Sequence, residues 1–238
     1  MDIRQLQRET RNIMITIKDA IPYGIYNVEK YPDHKDEYFK DHHSKCLKQW
    51  MIDWTPGPAQ NRNFNNRLYN LVPARPLKIL DIGCGDGAFI RDCIEDGHQA
   101  YGIEGNPYFK EMGVRSWGKF PSNFFITDIG QDFTLVEDNF TAKMDVITSW
   151  EFFEHIHPSA VNQMVQNINK HSKIGTWLIF SASQRYDPPG HQNIKNKREW
   201  IDTFIPYGFE NTTENFGGDV VRNEPDSIIC YLRKTKEI

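Results

Sequence analysis

The chain lacks the marks of a secreted, membrane-bound or generically nucleic-acid-binding protein. Its four cysteines, Cys46, Cys84, Cys93 and Cys230, are scattered over 238 residues with no C-x-x-C pair. That spacing argues against a disulfide framework or a zinc site and for reduced, mostly buried thiols. No segment approaches the roughly 18 consecutive apolar residues of a membrane span, and Met1-Asp2-Ile3-Arg4-Gln5 has no apolar signal core. The cytosol is the expected location. Long basic runs are also missing, and the net charge is −4. Proteins that live on phosphate-backbone contacts carry a basic footprint, so generic nucleic-acid binding is disfavoured, although a local patch stays open. There is no internal repeat and no low-complexity tract.

What is present is ordinary globular material with an aromatic accent. Hydrophobic residues make up 39% and charged residues 25%, while aromatics reach 13% with six Trp. The length suits one α/β domain with an N-terminal extension. Residues 1–75 read as a helical cap or extension and 76–238 as the main domain. In the extension, Ile3, Leu6, Ile13 and Ile17 suggest a helix over 2–19. Leu47, Trp50, Met51 and Trp54 suggest another over 35–54, and a third is expected over 60–72. Tyr23, Tyr26, Tyr31 and Tyr38 would suit a lid over a cleft, or plain packing against the sheet.

From Leu77 onward strands and helices alternate, the pattern of a doubly wound, mostly parallel α/β sheet. Strands are expected near 77–82, 99–104, 123–128, 144–149, 175–182, 210–216 and 226–233. Helices fall near 87–96, 107–116, 158–171 and 196–206. The last two strands are too close for a helical crossover and should pair antiparallel, giving seven strands with an antiparallel end.

The most informative stretch is Asp81-Ile82-Gly83-Cys84-Gly85-Asp86-Gly87, directly after the apolar run Leu77-Lys78-Ile79-Leu80. It reads as a buried strand that ends at an acid, turns through alternating glycines and opens a helix at Ala88-Phe89-Ile90. Such a turn is where α/β sheets bind nucleoside-containing cofactors. Gly83, Gly85 and Ala88 also satisfy a dinucleotide fingerprint, so a nicotinamide oxidoreductase is the rival at this level. Asp81 before the first glycine and the extra Gly87 separate the two, because a carboxylate suits a cationic aminobutyrate tail. The stretch resembles motif I of the class I S-adenosylmethionine (SAM) dependent methyltransferases, which implies a Rossmann-like fold and SAM as cofactor.

Further segments extend that resemblance over about residues 77–233. Ala100-Tyr101-Gly102-Ile103-Glu104 is similar to motif II, where the acid accepts from two ribose hydroxyls. Phe124-Phe125-Ile126-Thr127-Asp128-Ile129 is similar to motif III, whose acid faces the adenine amino group. Met144-Asp145-Val146-Ile147-Thr148-Ser149-Trp150 is similar to motif IV, beneath the transferable methyl. The resemblance thus implies cofactor contacts from Asp81, Gly83, Cys84, Gly85, Glu104, Gly105, Asp128, Ile129 and Trp150.

After motif IV comes Glu151-Phe152-Phe153-Glu154-His155-Ile156-His157. In E-x-x-E-H, positions i, i+3 and i+4 share a face if the backbone turns helically. The cluster resembles the metal motif of ubiquinone-pathway O-methyltransferases and of Hen-type small-RNA 2′-O-methyltransferases, in which a downstream histidine joins. His191, in His191-Gln192-Asn193, occupies a comparable region. Glu151, Glu154, His155 and His191 would then bind Mg²⁺ or Mn²⁺. Glu-His after motif IV also occurs in metal-free methyltransferases, where it orients loops or lines the acceptor pocket, and both readings stand. His155, Glu154 and His191 are the catalytic candidates, with Asn193 beside the acceptor. His34, His42, His43, His98 and His171 read as surface residues. Trp200 and Phe204 read as core; Trp150, Phe152 and Tyr186 read as either core or a stacking surface. The expected reaction is O-methylation of a small molecule or sugar, with RNA 2′-O-methylation as the alternative.

Overall fold

The computed structural model describes residues 14–20, 62–111, 113, 116–186, 191–214, 216 and 226–238. The expected helix over 35–54 and the four tyrosines of the extension lie outside those residues. Among the described residues there are ten strands: β1 (Thr16–Lys18), β2 (Lys78–Ile82), β3 (Gln99–Glu104), β4 (Phe124–Ile126), β5 (Thr134–Glu137), β6 (Phe140–Thr141), β7 (Met144–Ser149), β8 (Ser172–Ser183), β9 (Phe209–Asn211) and β10 (Ser227–Lys234). The helices are α1 (Arg62–Leu71), α2 (Ala88–Glu95), α3 (Tyr108–Glu111), α4 (Ser116–Lys119), α5 (Val161–Lys170) and α6 (Lys197–Phe204).

Seven strands form one sheet in the order β4-β3-β2-β7-β8-β10-β9. Neighbours from β4 to β8 run parallel, and β10 runs antiparallel to both β8 and β9. The expected architecture is therefore the observed one. Strand order reverses at β2, between β3 and β7, which opens a crevice at the carboxyl ends of β2 and β7. Both faces are apolar, as a covered parallel sheet requires. Leu80, Ile147, Leu178 and Phe180 point to one core with α5 and α6; Ile79, Val146, Trp177 and Ile179 point to the other with α1 and α2. The alternation along each strand is the period of two that puts successive side chains on opposite faces.

Four local expectations are corrected. Thr16–Lys18, expected in a helix, is a strand antiparallel to β5. The β-branched run Ile15-Thr16-Ile17 also carries a period of two, and an edge partner was available to reward it. The β5–β6 hairpin was not foreseen; its turn is Asp138-Asn139, both at positive φ, the residue types that tolerate such a turn best. The helix expected over 107–116 is instead two short pieces, α3 and α4, on either side of Gly113. The strand expected over 210–216 ends at Asn211, whose partner Leu232 marks the last paired position.

Candidate active site

Asp81, one residue before the end of β2, is buried, and the Thr148 hydroxyl on neighbouring β7 donates to its Oδ1 at 2.6 Å. Burial, reinforced by the nearby Glu104 carboxylate, pushes its acid up to about 7, while the Thr148 hydrogen bond pulls the other way. Beyond it the backbone N–H groups of Gly83 and Cys84 both donate to the Ile103 carbonyl, at 2.8 and 3.0 Å, so the loop folds back over β3. Glu104 then clasps the loop: one oxygen accepts from Gly85 N–H at 3.0 Å and the other from Asn106 N–H at 2.9 Å. Burial raises its pKa, and the N–H groups of Asn106, Gly85 and Gly105 counter that. A carboxylate has four acceptor sites, so both oxygens keep a lone pair for ribose hydroxyls.

Two of the glycines are required for different reasons. Gly83, at φ 71°, lies against the Phe152 ring: an added Cβ would be 2.3 Å from it. Gly85, at φ 53°, has nothing within 4 Å of an added Cβ. Its missing side chain leaves an open cradle above the loop, the place where a nucleoside ligand could press on the backbone. Trp117, from α4, braces the loop by donating its indole N–H to the Gly85 carbonyl at 2.8 Å. Nothing local in the sequence pointed to Trp117 or Thr148; the first is 32 residues away from its partner and the second 67.

The other expected cofactor residues divide. Cys84 is half-buried, and burial with the neighbouring acids pushes its thiol up. Asp128 is buried in a local turn, its oxygens accepting from Gly130 N–H at 2.8 Å and the Gln131 amide at 3.2 Å. Ile129 packs in the core, and its carbonyl accepts from Asn167 at 2.8 Å. Trp150 stands edge-on to Phe64 of α1, with ring centroids 5.2 Å apart, which ties the extension to the end of β7.

Beyond β7 the chain does not continue as an α-helix. Glu151 takes φ 47°, Phe152 covers Gly83, and Phe153–His155 form one 3₁₀ turn. A carboxylate oxygen of Glu154 and one ring nitrogen each of His155 and His191 lie within 4.8 Å of one another. Glu151, expected with them, is not part of that group: its Oε2 accepts from the Ser227 hydroxyl at 2.6 Å. The left-handed backbone breaks the shared helical face on which the expectation rested. His191 arrives because its loop is stapled to the turn. The N–H groups of Gln192 and Asn193 both donate to the Glu154 carbonyl, at 2.8 and 3.0 Å. The His155 and His191 rings stand edge to face, 4.7 Å apart. His191 Nδ1 pairs with the Arg185 carbonyl at 2.8 Å. Since a carbonyl only accepts, that nitrogen carries the proton and Nε2 keeps its lone pair.

Asn193 is 5% exposed, and its Nδ2 has no hydrogen-bond partner among the described residues. His157 is taken up by Ser159, 2.8 Å away. Two histidines expected at the surface are not there. His98 is half-buried against the Tyr69 ring. His171 is fully buried, Nε2 accepting from Leu135 N–H at 2.9 Å and Nδ1 paired with the Asn167 carbonyl at 2.7 Å. With both nitrogens satisfied, burial holds it neutral, down to about 4. Trp200 and Phe204 are core, as expected, while Tyr186 is exposed. Among the described residues, no helix is long and apolar enough to cross a membrane.

With this geometry in view, comparison with known proteins is informative. The model of a methyltransferase domain family matches residues 58–216, more than half of the chain. No curated protein matches the sequence. Among solved structures, a TehB-like SAM-dependent methyltransferase from Corynebacterium glutamicum is similar at 14% identity. That match covers 84% of this chain and 99% of the other, with a TM-score of 0.57. A SAM-dependent methyltransferase from Clostridium acetobutylicum is similar at 11% identity, covering 87% and 100%, with a TM-score of 0.55. One from Archaeoglobus fulgidus is similar at 16% identity, covering 73% and 93%, with a TM-score of 0.52. At these identities the likeness concerns the fold.

Proposed function

Because the chain belongs to the methyltransferase domain family, we propose that it moves the methyl group of S-adenosyl-L-methionine to a hydroxyl of a small molecule or sugar. The observation that carries this is the convergence of Glu154, His155 and His191 at the carboxyl ends of β2 and β7. SAM supplies an electrophilic methyl on a cationic sulfur. The chain's tasks are then alignment and removal of the acceptor's proton. Gly85 leaves the room for the nucleoside, Glu104 offers its remaining lone pairs to the ribose, and Asp81 sets a carboxylate near the cationic tail.

A hydroxyl needs a base or a metal to become nucleophilic at neutral pH. Glu154, His155 and His191 fit either role. The donor set of one carboxylate and two imidazoles suits Mn²⁺ or Mg²⁺, and His191, with its proton on Nδ1 facing a carbonyl, presents the tautomer that metal-binding histidines use. A bound cation would lower the pKa of an acceptor hydroxyl, which favours diols, catechols or sugars as substrates.

Calorimetry with SAM, S-adenosylhomocysteine (SAH) and NADH side by side tests the cofactor. The expected result is micromolar SAM and SAH binding with none for NADH; binding of NADH alone would overturn the reading. Turnover of a panel of diols, catechols and sugars, before and after chelation and with Mg²⁺ or Mn²⁺ restored, tests the rest. Full activity after chelation would confine the cluster to base and positioning roles. A second reading, RNA 2′-O-methylation, is favoured by the arrival of His191 from downstream. Salt-dependent binding of short RNA oligonucleotides would support it, and none is expected.

A further inference from the structure

Glu151 is the feature of the site that the proposed reaction leaves without a task. Its φ of 47° is a left-handed backbone that a residue with a long side chain adopts at a cost. The strain is held from two sides. Its N–H donates to the Ser181 hydroxyl of β8 at 3.0 Å, and its Oε2 accepts from the Ser227 hydroxyl of β10 at 2.6 Å. Those two strands are paired antiparallel, with Ser181 opposite Ile229 and Ser227 opposite Ser183, so both anchors sit on one rigid ribbon. The next residue, Phe152, is the ring on which Gly83 rests, and two residues further on begins the Glu154–His155 pair.

We propose that Glu151 is a positioning residue that couples the cofactor loop to the reacting cluster. Clamped to Ser181 and Ser227, it forces the sharp turn out of β7. That turn places Phe152 under Gly83 and delivers Glu154 and His155 to His191. It acts through a hydrogen bond accepted from Ser227 rather than by ligating a cation. The inference rests on SAM being the cofactor, since SAH affinity is the quantity that the Phe152–Gly83 contact controls.

The test uses the full chain and SAH as probe, with calorimetry and thermal unfolding on Glu151→Gln, Glu151→Ala, Glu151→Gly, Ser227→Ala and the Glu151→Ala/Ser227→Ala pair. Loss of one anchoring hydrogen bond should weaken SAH by about fivefold to tenfold in Glu151→Ala and Ser227→Ala. The double variant should be no worse than either single one, as for two ends of one interaction. Glu151→Gln keeps an acceptor oxygen and should stay within about twofold of wild type. Glu151→Gly, free of the left-handed penalty, should unfold at or above the wild-type temperature while binding SAH as weakly as Glu151→Ala. An unchanged SAH affinity in Ser227→Ala, or a Gln variant as weak as the Ala variant, would overturn the proposal. A wild-type chain that binds no SAH would instead remove the SAM reading itself, and the inference with it.

Discussion

Gly83 and Gly85 are two residues apart and both left-handed, yet replacing each with alanine should cost the fold different amounts of stability. At Gly85 the structure offers a new methyl group nothing to collide with inside 4 Å, and only the φ of 53° resists. An alanine held left-handed costs about 1 kcal/mol. For a domain of this size that lowers Tm by about 2–4 °C. The open space is where we place the nucleoside, however, so the same methyl group should obstruct it and weaken SAH by at least about tenfold, or 1.4 kcal/mol. At Gly83 the conformational penalty is joined by a clash, because the methyl would stand 2.3 Å from the Phe152 ring. Overpacking of that kind adds about 1–3 kcal/mol. Gly83→Ala should therefore lose about 2–4 kcal/mol of fold stability, visible in urea or thermal unfolding. Calorimetric titration with SAH and a melting curve on each variant are sufficient. A Gly85→Ala chain that binds SAH like wild type would show that the cradle above the loop is not the cofactor's place. A Gly83→Ala chain as stable as Gly85→Ala would show that the Phe152 ring yields freely.

Two buried titrating groups make opposite contributions to stability against pH. Asp81 keeps its proton up to about 7 in the fold but releases it near 3.8 when unfolded. Its contribution therefore falls as pH rises through that window, by about 4 kcal/mol. SAM is cationic and selects the ionised form, so its affinity should climb with pH to about 7 in wild type and stay flat in Asp81→Asn; parallel profiles would refute this. His171 accepts a proton only near 4 in the fold but near 6.5 when unfolded, so its contribution falls as pH drops from 6.5 to 4, by about 3 kcal/mol. Urea unfolding of His171→Gln at pH 7 and pH 4.5 should show a deficit that shrinks at the lower pH, and a constant deficit would contradict it. Asn193→Ala removes a buried donor that has no partner among the described residues, so it should raise stability by about 1 kcal/mol while cutting kcat/KM for the acceptor at least about tenfold. SAH affinity should not move; a loss of it equal to the loss of turnover would place Asn193 on the cofactor instead.

The core sheet was legible because its information is local. Leu77 to Ile82 is a short apolar run closed by an acid and glycines, β3 likewise closes on Glu104 and Gly105, and β7 is an apolar run that ends before Trp150. Each such run can be read within a few residues, and alternation with helical stretches leaves little choice but a parallel sheet. Misreadings arose where two periods overlapped or where a partner had to be known. Ile15-Thr16-Ile17 serves helix and strand alike until β5 lies beside it. The β5–β6 hairpin announced itself only through Asp138-Asn139.

At the site, the glycine loop could be read from its spacing, while Glu104 and the residue types of the cluster followed from the resemblance to motif II and to the E-x-x-E-H motif. Membership of the cluster could not, because E-x-x-E-H implies a common face only if the backbone stays helical. Glu151 leaves that helix for a left-handed turn held by Ser181 and Ser227, thirty and seventy-six residues away.

The order of chemistry along the chain was thus settled by the amino-acid sequence alone: an acid and a glycine loop at the end of the first core strand, a second acid at the end of the next, and a carboxylate–imidazole pair after the fourth parallel element. Those are short-range consequences of hydrophobic periodicity and glycine stereochemistry. Which side chains converge was decided by the folded sheet. It brought Thr148 to Asp81, Phe152 to Gly83 and His191 to His155, and it drew Glu151 away to Ser227. Hydrogen bonds between strands far apart in sequence outweighed the local turn preference there, and such pairings exist only once the sheet has formed.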